Sequence, residues 1–273
     1  MESQWQTVAY GAGLDSPLWE LFHENSKLHQ YSYGPSDDEV AEHIATLDET
    51  LEFNGYPSVP LPTQLPPMSI RLDQAIRSRR SRREMLPEAL SKLQLASLLY
   101  YGYGVTRKNN RSLPRALRVV PSAGALYPLE VFCYVANIRG ITPGIYHYNP
   151  TAHHLRQILE WQQVTQIRSC FVQNTIPQHI PLLLFITALF PRSTFKYGNR
   201  GYRFTLLEAG HAAQNINLVC TAHNLACVNI GGFYDRKVDS LLGVDGITHS
   251  TLYMIGVGRQ YKKPRNRMQR GGP

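Results

Sequence analysis

Residues 77–83 read R-S-R-R-S-R-R, a run of arginines broken by a hydroxyl. The planar guanidinium fork fits a phosphate, and Ser81 sets a neutral donor beside it. Nucleic acid and a phosphorylated cofactor both satisfy that chemistry. Three further stretches invite close contact with a ligand. In V-V-P-S-A-G-A-L-Y-P (119–128), Pro, Ser and Gly around small apolar residues let backbone approach a flat molecule that larger side chains would block. I-G-G-F (230–233) sets paired glycines after a strand, again suited to a planar ring. K-Y-G-N-R-G-Y-R (196–203) places Lys196 and Tyr197 at the mouth of a long helix, where both can exchange protons if partly buried.

Other chemistries lack support. His147, His153 and His154 are close in sequence but have no matching Cys or carboxylate set, so no metal site is expected. G-A-G-L-D-S (11–16) carries Ser where a dinucleotide fingerprint needs its third glycine, and no strand precedes it. There is no Walker loop, no G-x-S-x-G and no H-E-x-x-H.

The 273 residues carry 28 Lys+Arg against 20 Asp+Glu, a net charge of +8, with 43% hydrophobic and 10% aromatic residues. Such a chain folds around a sizeable core rather than staying disordered. Its positive charge is concentrated. Besides 77–83, it gathers at Arg107, Lys108, Arg111, Arg115 and Arg118, and at Arg259, Lys262, Lys263, Arg265, Arg267 and Arg270. These clusters draw anionic partners: a phosphorylated cofactor, an acidic peptide, nucleic acid or a membrane surface. Nucleic acid is disfavoured, because no basic strand is interleaved with aromatics and no helix-turn-helix is apparent. The longest apolar run, 181–190, is about half of what a membrane-spanning helix needs. The first residues lack a basic-then-apolar secretory signal, and Cys133, Cys170, Cys220 and Cys227 form no C-x-x-C pair. A cytoplasmic enzyme with reduced core cysteines is expected, bound to neither membrane nor nucleic acid.

Apolar spacing predicts helices over 16–31 and 37–53, then a linker with five prolines between Pro57 and Pro67. A helix from Asp73 is expected to run through the arginine cluster, and Ser91 with Gln94 forms a capping box for the next one. Strands are expected at 129–136, 144–148, 153–159, 182–189, 226–230 and 251–257, with helices near 160–174, over 201–224 and near 236–242. This interspersion predicts an α+β fold with a mixed or antiparallel sheet. The expected division is a helical accessory segment with its linker (1–65), a main domain (66–260) and a basic flexible tail (261–273).

In order along the chain, R-R-S-R-R, P-S-A-G-A-L-Y-P-L-E-V, G-I-Y-H-Y-N-P, K-Y-G-N-R-G-Y-R-F, L-L-E-A-G-H-A-A-Q-N, I-G-G-F and L-Y-M-I-G-V-G resemble the SagB-type dehydrogenases. That branch of the nitroreductase-like flavoproteins includes the azoline oxidases that make thiazoles and oxazoles in modified peptides. The resemblance spans about 66–258, with a fainter echo in F-H-E-N-S-K (22–27). It implies a central sheet flanked by helices and FMN held noncovalently at a homodimer interface. Arg79, Arg80, Ser81 and Arg83 would hold the phosphate and ribityl chain, with Arg259 reaching the phosphate. Ser122, Ala123 and Gly124 would meet the flavin of the dimer partner, and Gly231 and Gly232 would lie near the isoalloxazine. Lys196 and Tyr197 map to the pair implicated in azoline oxidation, with dioxygen as electron acceptor. The homodimer would use helix 204–224, whose Leu206, Leu207, Ala209, Gly210, Ala213 and Ile216 suit close packing. An NAD(P)H-dependent nitro- or quinone reductase would share the FMN site without needing Lys196 and Tyr197. About 65 leading residues are too few, and too helical, for a winged-helix leader-binding domain. Recognition of a peptide or carrier-bound substrate would then fall to a partner cyclase, to 107–118 or to the tail.

Overall fold

A computed structural model of the chain describes residues 18–30, 34–109, 115–164, 167–173 and 179–261. The expected tail (from 262), the 11–16 glycine stretch and Arg111 lie outside the described residues. The helices are α1 (Leu18–Asn25), α2 (Asp37–Thr46), α3 (Leu72–Ser78), α4 (Lys92–Tyr103), α5 (Pro191–Tyr197), α6 (Asn199–Ala222) and α7 (Asp235–Leu242). The strands are β1 (Ser58–Pro60), β2 (Met85–Leu86), β3 (Leu90–Ser91), β4 (Val105–Arg107), β5 (Leu117–Arg118), β6 (Leu129–Val135), β7 (Ile138–Arg139), β8 (Gly144–Asn149), β9 (His154–Glu160), β10 (Leu182–Leu189), β11 (Leu225–Ile230) and β12 (His249–Gln260).

The main sheet runs β1-β9-β8-β6-β10-β12-β11, with β2 added beside the end of β12, and every pairing in it is antiparallel. Both faces are covered, so β6 is buried along its whole length. Alternation sorts its side chains: Val131, Cys133 and Val135 join Leu95, Leu99, Ala212 and Ile216 on one side. Phe132 and Tyr134 join Phe185, Met254, Val238 and Leu242 on the other. Helices α4 and α6 pack closely at Gly102, where an added Cβ would lie 2.6 Å from Ile216 Cγ1.

The capping box at Ser91 forms as expected: Gln94 N–H donates to Ser91 Oγ, and Ser91 N–H donates to Gln94 Oε1. Several elements differ from expectation. Helices α1 and α2 end at Asn25 and Thr46, short of the expected 31 and 53, and Leu47 is already extended. Helix α3 stops at Ser78, and the arginines that follow are not helical, because the Arg82 N–H leaves the helical ladder to donate to the Cys227 carbonyl at 2.8 Å. The helix expected near 160–174 is represented by two 3-10 turns, Trp161–Gln163 and Ile167–Cys170. A separate short helix, α5, precedes α6, and Gly198 at φ +52° divides them.

The proline-rich stretch contributes β1, paired with β9 at the sheet edge. Just before it, Thr50 Oγ1 and Leu51 N–H both donate to the buried Glu130 carboxylate, at 2.9 and 3.1 Å. Glu49 adds a bond from Ala116 N–H at 2.9 Å. Among the described residues, no helix is long and apolar enough to cross a membrane.

Candidate active site

The arginine segment lies along edge strand β11, fixed there by the Arg82 amide. With the Gln260 carboxamide turned so that its oxygen faces Arg82, it accepts from that guanidinium at 3.1 and 3.2 Å. Arg83, Gln173, Val228, Asn229, Ile230, Gly231 and Gly232 line a cavity of about 110 Å³. An added Cβ would find its nearest neighbour at 3.8 Å at Gly231 and 3.9 Å at Gly232, so the protein's own packing does not demand glycine at either place. Their bareness leaves the cavity open to a flat molecule.

Among the described residues, Asn229 Oδ1 in the cavity wall lacks a partner, as does Arg259 Nε on β12, opposite Leu225 and outside that lining. Buried polar atoms are normally paired, so each is a candidate ligand contact. Arg80, Ser81 and Arg83 are exposed and Arg79 is half-buried. Arg80 Nη1 donates to the carbonyls of Arg77 and Arg79, at 2.9 and 2.8 Å, and so caps α3. Exposed arginines, a glycine floor and an orphaned amide oxygen fit a phosphorylated planar cofactor such as FMN.

The second group sits at the end of β10. Pro191 opens α5, and Lys196 and Tyr197 occupy its last turn, just before the long helix at whose mouth the sequence set them. Helices α5 and α6 meet at Gly201, where a Cβ would come within 2.8 Å of the Ser193 backbone and where Ser193 Oγ donates to the Gly201 carbonyl. Arg192 on α5 donates to Glu130 at 2.6 Å, and His147 bonds the other oxygen of that carboxylate at 2.7 Å. Burial opposes ionisation of Glu130, but the His147 hydrogen bond and the charges of His147, Arg192 and Arg118 outweigh it. They hold its carboxyl well below the usual range.

The loop carrying Ser122, Ala123 and Gly124 meets this helix at Gly124. Gly124 has φ +62°, and a Cβ on it would stand 2.7 Å from Tyr197 Oη and 3.5 Å from Lys196 Nζ. Glycine is therefore required twice over, by conformation and by space. Ala125 (φ 52°) and Tyr127 (φ 46°) also sit in the left-handed region, and Ser122 Oγ accepts from Tyr127 N–H at 3.0 Å to hold the turn. Tyr197 packs edge-on against Phe204 at 5.1 Å, and Lys196 Nζ lies 5.4 Å from the Tyr197 ring centre.

The structure thus brings the expected site residues together in two places, while Arg79, Arg80, Ser81 and Arg259 line neither. Arg83, Gly231 and Gly232 line one cavity, which takes no lining residue from the 121–124 loop or from α5. Sequence reading passed over Asn229, Phe204, Glu130, Arg192 and Glu208. The available signal was an acid in an otherwise apolar stretch, Glu130 in L-E-V-F-C-Y-V and Glu208 in L-L-E-A. A charge placed there is buried only with partners.

Comparison with known proteins agrees with this architecture. The nitroreductase family profile matches residues 76–259, a span that holds all seven motifs. The nitroreductase-like protein MJ1384 of Methanocaldococcus jannaschii is 34% identical over 198 residues, covering 72% of this chain and 96% of that protein. The microcin B17-processing protein McbC of Escherichia coli is 32% identical over 142 residues, 50% of this chain and 52% of McbC, so only about half of that relative is spanned. The structure of the E. coli microcin synthetase McbBCD complex with truncated pro-MccB17 matches with a TM-score of 0.57 and 22% identity, covering 90% of this chain and 92% of the matched one, a likeness of fold. With its α+β architecture, its antiparallel sheet and a matched span of this extent, the chain belongs to the nitroreductase family.

Proposed function

We propose that the protein is an FMN-dependent oxidase that converts azoline rings, thiazoline or oxazoline, to azoles in a peptide or carrier-bound substrate. The observation that carries this reading is the convergence of Tyr197 Oη and Lys196 Nζ on the bare Cα of Gly124. A plain FMN reductase has no use for an amine and a phenol beside that loop. The relation to McbC, a peptide-processing protein by name, supports the same direction. Arg79, Ser81 and Arg83 would hold the phosphate end with Arg259, and Gly231 and Gly232 would admit the ring system with Asn229 at its edge. Arg80, already capping α3, would add charge more than contact.

FMN, when bound, supplies a two-electron acceptor, with dioxygen as the expected final sink. The remaining task is proton removal. An azoline carries an acidic C–H beside its imine-like bond, and Lys196 Nζ would take that proton. Tyr197, steadied by Phe204, orients the amine or relays the proton through Oη. The ring's gain of aromaticity drives the step.

Two separate groups in one chain suit a homodimer in which the 121–124 loop of one protomer meets the cofactor of the other. On α6, Ala209, Ala213 and Ile216 are buried in the chain's own core, whereas Leu206, Leu207 and Gly210 remain exposed for a partner. In this reading residues 66–260 form the FMN unit, and 1–65 an accessory segment. A cyclase partner, the exposed Arg107 and Lys108 or the tail would recognise the peptide, since Arg115 and Arg118 are buried against the Leu47 and Glu49 carbonyls. A nicotinamide-dependent nitro- or quinone reductase is the second reading, favoured by the similarity to MJ1384. Lys196→Ala separates the two. Azole formation by the wild type that is lost in the variant with flavin retained supports the oxidase, and a wild type that forms no azole but reduces nitroaromatics with NADH, unchanged in the variant, supports the reductase.

A further inference from the structure

Helix α5 has seven residues and no side-chain cap at its start, so it is too short to keep its place unaided. Much of what seats it comes from the N-terminal segment. Arg192, buried one turn before Lys196, donates to Glu130 Oε1 at 2.6 Å, and Leu51 N–H donates to the same oxygen at 3.1 Å. His147 and the Thr50 hydroxyl share Oε2, at 2.7 and 2.9 Å. Residues 47–51 are themselves pinned, because Arg115 and Arg118 donate to the Leu47 and Glu49 carbonyls at 3.2 and 2.5 Å. On α2, the His43 ring lies 4.1 Å from that of Phe195, the neighbour of Lys196. Helix α1 holds the start of α6: Arg200 and Arg203 donate to the Ser26 and His23 carbonyls at its C-terminal end, and Phe22 meets Tyr202 edge-on at 5.3 Å. The stretch F-H-E-N-S-K thus docks on K-Y-G-N-R-G-Y-R, and three parts of 18–51 bear on α5 and the start of α6.

We propose that the N-terminal segment seats the catalytic helix, with Thr50 and His43 as positioning residues that hold α5 so that Lys196 and Tyr197 face Gly124. That role rests on reading the pair as catalytic. Glu130 is the coupling point. With Thr50 and Leu51 in place its acceptor sites are filled, and Arg192 has one position to take. Without the Thr50 hydroxyl, a buried lone pair is left open, and Arg192 is free to shift towards it. The shift reaches Lys196 because both side chains stand on the same short helix. His43 adds a second restraint at Phe195, independent of the carboxylate. The cavity of Arg83, Gly231 and Gly232 takes no lining residue from 18–51, so the segment should govern turnover and leave the cofactor alone.

The test is the double variant Thr50→Val, His43→Ala in the full-length, FMN-loaded protein. Valine keeps the shape of threonine without its hydroxyl, and His43 is exposed, so His43→Ala alone serves where the double variant is too unstable to purify. With a thiazoline peptide, kcat should fall about tenfold to a hundredfold, as expected for a small misplacement, while KM and flavin occupancy hold. Deuterium at the abstracted C–H should give a larger isotope effect than in the wild type, because a misaligned base slows that step. Hydrogen exchange at the amides of residues 194–198 should quicken. Thr50→Ser keeps the donor and should behave as the wild type. Unchanged kcat and isotope effect, with or without faster exchange, would overturn the proposal, as would an equal loss in Thr50→Ser. If Lys196→Ala still forms azoles, the catalytic reading of the pair fails by itself, and the exchange data still decide whether the segment seats α5.

Discussion

Substituting Gly124 by Ala perturbs the candidate site through one methyl group, and the consequences can be worked out atom by atom. The φ of +62° costs an L-residue about 1–2 kcal/mol regardless of surroundings. The new Cβ would also stand 2.7 Å from Tyr197 Oη, while the next neighbours, Leu126 Cγ and Lys196 Nζ, lie at a tolerable 3.5 Å. The overlap is thus with a single oxygen. Tyr197→Phe removes it and leaves the ring's contact with Phe204 in place. In a double-mutant cycle, Gly124→Ala should cost the backbone strain plus the overlap when Tyr197 is intact, and the strain alone when it is combined with Tyr197→Phe. The two single costs should therefore exceed the double-mutant cost by about 0.5–3 kcal/mol, the usual range for side chains in contact. Denaturant unfolding of the apoprotein reads the stabilities. In parallel, kcat for azole formation should fall up to about a hundredfold in Gly124→Ala, as misplacement of reacting groups by an ångström does. Additivity within about 0.5 kcal/mol, with normal turnover, would refute the placement of Tyr197 against the loop.

Other outcomes follow from the same structure. Burial raises Glu208 from 4.5 to about 7, so its proton favours the folded state. The sign is then fixed: its contribution is complete below about pH 4.5 and lost as pH climbs to about 7, a change of about 3 kcal/mol. The stability difference between wild type and Glu208→Gln should trace that slope, and a flat difference would contradict it. Glu130→Gln strips Arg192 and His147 of their buried partner and should cost about 3–5 kcal/mol in urea unfolding, where a loss below about 1 kcal/mol would be inconsistent with an ionised Glu130. Replacing Arg79, Ser81 and Arg83 together by Ala should weaken FMN binding, each charge-assisted contact contributing roughly 1.5–3 kcal/mol, and unchanged affinity by fluorescence titration would remove the phosphate assignment. Light scattering should show a dimer when flavin is bound; a flavin-loaded monomer at micromolar concentration would exclude the shared site.

Much of the sheet was legible because local pattern and tertiary role agree. In β6 the residues Val131, Cys133 and Val135 alternate with Phe132 and Tyr134, and each set meets a different helical layer. The Ser91–Gln94 box likewise marks the start of α4 using neighbours in the chain. Features set by distant partners were not legible. Helix α3 ends early because Arg82 docks on Cys227, a pairing that no local pattern in R-S-R-R-S-R-R encodes. Glu130 resembles a surface acid until Arg192, His147 and Thr50 close round it. For the site, the residue types at 122–124, 196–197 and 231–232 stood out from sequence. Their division into two groups, and the contact of Gly124 with Tyr197, depend on how β10 delivers α5 beside the loop before β6.

The central claim is that this protein oxidises an azoline ring with bound FMN. Anaerobic mixing of the flavin-loaded protein with a thiazoline-bearing peptide tests it most directly. The flavin's visible absorption and the mass of the peptide are followed together. The flavin should bleach in step with loss of two hydrogens per ring, and Lys196→Ala should keep its flavin spectrum while losing about a hundredfold or more in the rate of both changes. A protein that carries no flavin, or whose flavin stays oxidised with the peptide while NADH reduces it, would contradict the claim.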